Sequence, residues 1–100
     1  MTRLVIVPHA QDDLERLADF LLERQLEHAE QTQAVILDGL RILQRQPRIG
    51  RPVEEPLREL VIHRGRSGYV ALYHFDELAD AVLVLAIRHQ RESGYHPDDL

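Results

Sequence analysis

One hundred residues, 44% of them hydrophobic, suffice for one domain, expected to span residues 1–100, whose single modest core buries roughly 60–70% of the unfolded chain's surface. A formal net charge of −5 argues against broad, non-specific nucleic-acid binding, which depends on many phosphate contacts. The chain has no cysteine, which excludes a disulfide framework and a thiolate metal site and fits a reducing compartment.

Thr2–Val7 is a β-branched run closed by Pro8 and reads as a first strand. The apolar stretch between Arg3 and Pro8 is too short for a signal peptide or a membrane span, so the expectation is a cytoplasmic protein with no membrane partner. Leu14, Leu17, Ala18 and Leu21 then recur at the spacing of an amphipathic helix, placed at about residues 10–24. Asp12, Asp13 and Glu15 lie in its first turns, where the helix dipole favours anions, and with Asp19 and Glu23 they read as a solvated face. A second helical period runs through Ala29, Ile36, Leu40 and Leu43, with Gly39 as a tolerated cost inside it. It stops by Gln46, because Pro47 disfavours helical geometry before it, and a break near Gln25–Glu27 makes the two helices a hairpin.

Pro47–Pro52, with two prolines and a glycine, reads as a connector, and Pro56 closes the loop. Strands follow at about 57–64, 69–75 and 81–88, joined by turn residues in Arg64–Gly68 and Asp76–Asp80. Leu60 and Ile62 alternate with Glu59 and His63, and Arg58 falls on the side of Leu60 and Ile62. The nearly all-apolar third strand suits a central position covered on both faces, or a strand buried at one face with a partner site at the other. The order β-α-α-β-β-β is an α+β fold, a helical hairpin on one face of a small, mainly antiparallel sheet.

Charge is unevenly spread. Residues 1–40 carry three arginines against eight acids, residues 41–75 seven against three, and residues 76–100 two against six. Every basic residue is arginine, the side chain suited to planar contact with carboxylate or phosphate. The sharpest candidate cluster is the polar end of the last strand, Arg88, His89, Arg91, Glu92 and Tyr95. Arg64 and Arg66 flank a glycine turn, and Arg58 can face either an internal carboxylate or a partner. His63, His74 and His89 lie on successive strands, but nothing fixes them onto one face, and no metal site is expected. No glycine-rich loop links a strand to a helix, so no nucleotide or other cofactor is expected.

These segments, in this order, resemble the RelE/ParE superfamily of toxins from type II toxin–antitoxin (plasmid stabilisation) systems. The likeness runs from Pro8-His-Ala and Asp13-Leu-Glu-Arg-Leu17 through Leu43–Pro52. It is strongest in Leu57-Arg-Glu-Leu60, Gly68-Tyr-Val-Ala-Leu-Tyr73 and Val84–Tyr95. The resemblance implies the fold that the periodicity gives, and one of two activities. RelE-like members cleave mRNA on the ribosome without a metal, using basic side chains and an aromatic residue. ParE-like members poison DNA gyrase. Both are silenced by a cognate antitoxin.

The match to the nuclease is partial. Metal-free RNA cleavage needs a base, cations for the phosphorane and a proton donor. Where RelE-like sequences place an arginine after the strand tyrosine, this chain has Val70, and their catalytic lysines have no counterpart. Arg58 matches the arginine that opens the second strand, His89 falls at a terminal-strand arginine, and Tyr95 matches the C-terminal tyrosine. Those three are the candidate catalytic residues of a nuclease. The resemblance therefore implies the gyrase-directed side, with a non-toxic, antitoxin-binding relic as a further alternative. Arg58, Arg64, Arg66, Arg88, Arg91 and Glu92 are the expected contacts with target or antitoxin, and a homodimer is compatible with the sequence.

Overall fold

A computed structural model of the chain describes residues 1–23, 32–64 and 67–90. Its elements are β1 (Arg3–Ile6), α1 (Pro8–Glu23), α2 (Thr32–Leu40) continued by a 3-10 turn (Arg41–Gln44), β2 (Arg51–Pro52), β3 (Leu57–Arg64), β4 (Ser67–Asp76) and β5 (Ala81–His89). The five strands form one mixed sheet in the order β1-β5-β4-β3-β2, with β1 parallel to β5 and every other pair antiparallel. This is the expected α+β architecture with one strand more than the sequence indicates. The chain expected to be plain connector contains β2, where Arg51 pairs with Glu59 and Pro52 with Arg58. Pro52 is acceptable there because β2 is an edge strand.

Two boundaries differ for identifiable reasons. Pro8 opens α1 instead of only closing β1; its fixed φ and missing N–H suit a first helical turn. The second helix tightens into a 3-10 turn after Leu40, short of the expected Gln46. Gly39 is more than a tolerated cost, since a Cβ there would lie 2.7 Å from Cγ2 of Ile62, so its bare backbone lets α2 approach β3. The break expected at Gln25–Glu27 lies outside the described residues.

The core lies between the helices and one face of the sheet. Ala10, Leu14 and Leu17 of α1, with Ile36, Leu40 and Leu43, meet Ile62, Tyr69, Ala71, Tyr73, Val82, Val84 and Ile87. β5 is an interior strand, as its composition suggests. A bulge interrupts it: pairing steps from Leu72–Ala86 to Tyr73–Val84, leaving Leu85 as the extra residue. The bulge reverses the alternation beyond it. Ile87 and His89 consequently share the helix face with Val82 and Val84, whereas Ala86 and Arg88 turn to the far face. The turn before β5 is tied to β1 through Asp80, a non-glycine residue at φ 50° that accepts a 2.7 Å bond from Oγ1 of Thr2. Among the described residues no helix is long and apolar enough to cross a membrane.

Candidate functional site

Arg58 stands on the helix face with Leu60 and Ile62, as alternation requires. Its partners are backbone oxygens: Nη1 donates to the carbonyl of Gly50 at 2.8 Å and to that of Arg48 at 3.1 Å. Gly50 is buried, and its N–H donates to the hydroxyl of Tyr73 at 2.9 Å. Tyr73 itself is fully buried. Arg58 and Tyr73 are cross-strand neighbours, so one pair of side chains fastens the entry to β2 from below. Burial pushes the Tyr73 hydroxyl above the usual tyrosine pKa, against the opposing pull of the Gly50 N–H and the Arg58 charge.

That environment gives a result testable by pH. A hydroxyl whose pKa is raised in the fold contributes stability that is complete below the unfolded tyrosine value near 10 and is lost as pH climbs through the folded value. Tyr73→Phe is expected to cost about 1 kcal/mol at neutral pH, because the buried Gly50 N–H loses its acceptor, and to remove this alkaline component. Denaturant titrations at pH 7 and above pH 10 measure both.

The far face carries a second cluster. Glu59, 4% exposed, accepts bonds at Oε1 from Nε and Nη2 of Arg51, at 2.9 and 2.6 Å. Its Oε2 lies 3.9 Å from Nη2 of Arg88, at ion-pair distance. Arg88 thus pairs with an acid two strands away; Glu92 lies outside the described residues. Between them the face is apolar: Val61 pairs with Val70, Val70 with Arg88, and Leu72 separates Glu59 from Ala86. Val70, the residue after the strand tyrosine, is buried.

His89 is buried on the helix face, its ring edge-on to Tyr69 with centroids 5.4 Å apart. Arg58 pairs with Tyr73 and His89 with Tyr69, four residues apart on β4, a separation of about 13 Å at ordinary strand rise. The two candidate catalytic groups therefore do not converge. His74, opposite Leu57, lies on the other face from His89. Among the described residues no three His, Cys, Asp or Glu side chains come together to hold a metal ion. Arg64 pairs with Ser67 at the end of the β3–β4 hairpin; Arg66, Arg91, Glu92 and Tyr95 lie outside the described residues.

Several residues take roles that residue pattern alone hardly signals. Asp13, expected in a solvated face, is part-buried: Oδ2 accepts the N–H of Ile87 at 2.8 Å, and Nη2 of Arg16 donates to the carbonyl of Ile87 at 3.2 Å. β1 pairs only with residues 81–84 of β5, so this Asp–Arg pair occupies the next stretch of strand edge. Arg48 pairs with Glu77 and lies over the Phe75 ring at 4.9 Å. The signal for Asp13 was its i, i+3 spacing to Arg16; Arg51 and Glu59 needed knowledge of β2.

The match to known proteins covers this whole assembly. Residues 4–94 fit the family model of the ParE toxin of the type II toxin–antitoxin system parDE. The chain belongs to that family. This ParE-family toxin is 33% identical over 92 residues to Toxin RelE3 of Caulobacter vibrioides, covering 92% of its own length and 98% of the relative's. It shares the fold of a solved chromosomal ParDE system from P. aeruginosa, at TM-score 0.70 and 24% identity over 89% of this chain and 96% of that one. The RelBE2 toxin–antitoxin complex from Mycobacterium tuberculosis is similar at TM-score 0.52 and 25% identity, covering 89% and 98%. ParE and RelE names both occur among these relatives.

Proposed function

We propose that this toxin arrests growth by acting on DNA gyrase in the cytoplasm and is neutralised by a cognate antitoxin. The observation that carries the choice of target is the separation of two nuclease candidates among the described residues, Arg58 and His89. Arg58 and His89 lie about 13 Å apart along β4, and a single in-line displacement at phosphorus needs its cation and its base within hydrogen-bond reach of one phosphodiester. Arg58 is engaged by two backbone carbonyls, and His89 is packed against Tyr69. Val70 puts a buried aliphatic side chain where RelE-like sequences place an arginine. An antitoxin partner is supported by the family and by the solved relatives, which are toxin–antitoxin systems.

Induction of the toxin without its antitoxin is expected to stop growth and leave transcripts intact when their 5′ ends are mapped. Codon-positioned cuts that disappear in His89→Ala would identify a ribosome-dependent endonuclease instead. Uninterrupted growth would mark a chain that has lost its toxicity.

A further inference from the structure

We propose that Glu59 is an internal counter-anion: its carboxylate fills an oxyanion site made by Arg51 and Arg88, and so withholds that site from phosphate. The inference does not depend on which target the toxin attacks. It starts from the convergence of two cations from opposite sides of the sheet, Arg51 on edge strand β2 and Arg88 on β5, upon one buried acid of β3. Arg88 reaches this face only because the β5 bulge turns it away from the helices.

The setting is that of a binding site for a small oxyanion. Val70, Leu72 and Ala86, each at most 3% exposed, form an apolar floor in which charge–charge interactions are strengthened. Arg51 places two N–H donors on a single oxygen, at 2.9 and 2.6 Å, and the Arg88 guanidinium faces the other oxygen. Guanidinium groups make the same contacts with phosphate as with carboxylate. Arg51 is 71% exposed at its side chain, so an anion approaching from solvent meets it first, while Arg88, at 17%, forms the inner wall. With Glu59 in place, an incoming phosphate meets a like charge at the centre of the site. With the carboxylate gone, the Arg51 donors and the Arg88 guanidinium still face the vacated position above an apolar floor, and a phosphate ion takes the place of the carboxylate.

The test is anion rescue in the full-length chain. Glu59→Ala, Glu59→Ala/Arg88→Gln and wild type are unfolded thermally in increasing inorganic phosphate, with sodium chloride at matched ionic strength as the reference. Glu59→Ala is expected to show a saturable rise in Tm specific to phosphate, with half-saturation at least tenfold below that of wild type or the double variant. A Glu59→Ala chain that folds only in phosphate is the same result in stronger form. If that chain stays unfolded in both salts, Glu59→Ser takes its place with the same expectation. Equal responses of Glu59→Ala and wild type, or a rise that survives loss of Arg88, would show an ordinary structural ion pair and overturn the proposal.

Discussion

Gly50→Ala is expected to destabilise the toxin by about 3 kcal/mol, the combined cost of overpacking and of a weakened buried hydrogen bond. A Cβ on Gly50 would lie 2.6 Å from the carbonyl oxygen of Glu59 and 2.6 Å from both Cε1 and the hydroxyl oxygen of Tyr73. None of these can retreat cheaply. The Glu59 carbonyl belongs to β3, and Tyr73 is fully buried beneath the helices. Any shift of residue 50 also lengthens the Gly50 N–H bond to Tyr73 and pulls its carbonyl from Arg58. For a domain of this size the loss lowers Tm by on the order of 15 °C. Denaturant unfolding with an unchanged slope and a displaced midpoint is the expected form; a loss below about 1 kcal/mol would mean that the 48–51 segment is not fastened as described.

Asp13→Ala is expected to cost about 2 kcal/mol, the range for a hydrogen bond to a charged acceptor whose donor is left buried. The carboxylate serves β5 directly, at the N–H of Ile87, and holds Arg16 at 3.5 Å, whose guanidinium serves the carbonyl of the same residue. Removing it exposes a strand edge and loosens a second bond. Asp13→Asn keeps an acceptor oxygen and is expected to recover more than half of the loss. Hydrogen exchange locates the effect: the Ile87 amide should lose protection in Asp13→Ala and regain it in Asp13→Asn. Equal losses in both variants would assign the role to charge alone.

These two positions show what the sequence carries and what it does not. Strands β3, β4 and β5 are legible because runs of aliphatic and aromatic residues lie between clear turn residues, and α1 because Leu14 and Leu17 keep helical spacing. β2 escapes such reading, since two residues have no period and one is proline. The β5 bulge escapes it too. Strict alternation would place Arg88 beside Val82 and Val84 under the helices and leave His89 on the far face; one unpaired residue, Leu85, reverses both. The side of the sheet on which Arg58 stands follows from alternation, but its partners do not, because they are backbone carbonyls brought near by the chain's return through Gly50. Asp13 misleads for a related reason. A helix starting near residue 10 would put Asp13 where an acid serves the dipole, but α1 starts at Pro8 and has no acid in its first turn; the short reach of β1 along β5 gives Asp13 an N–H to accept instead. The family likeness lies in the strands, and the chemistry of the far face depends on Glu59, whose burial requires Arg51 from the unforeseen strand.

Supercoiling of relaxed plasmid by purified gyrase, with toxin freed of its antitoxin added at micromolar concentration, tests gyrase as the target. Inhibition that is reversed by adding back the antitoxin is the expected result. Full supercoiling activity in the presence of folded toxin would rule out gyrase as its target.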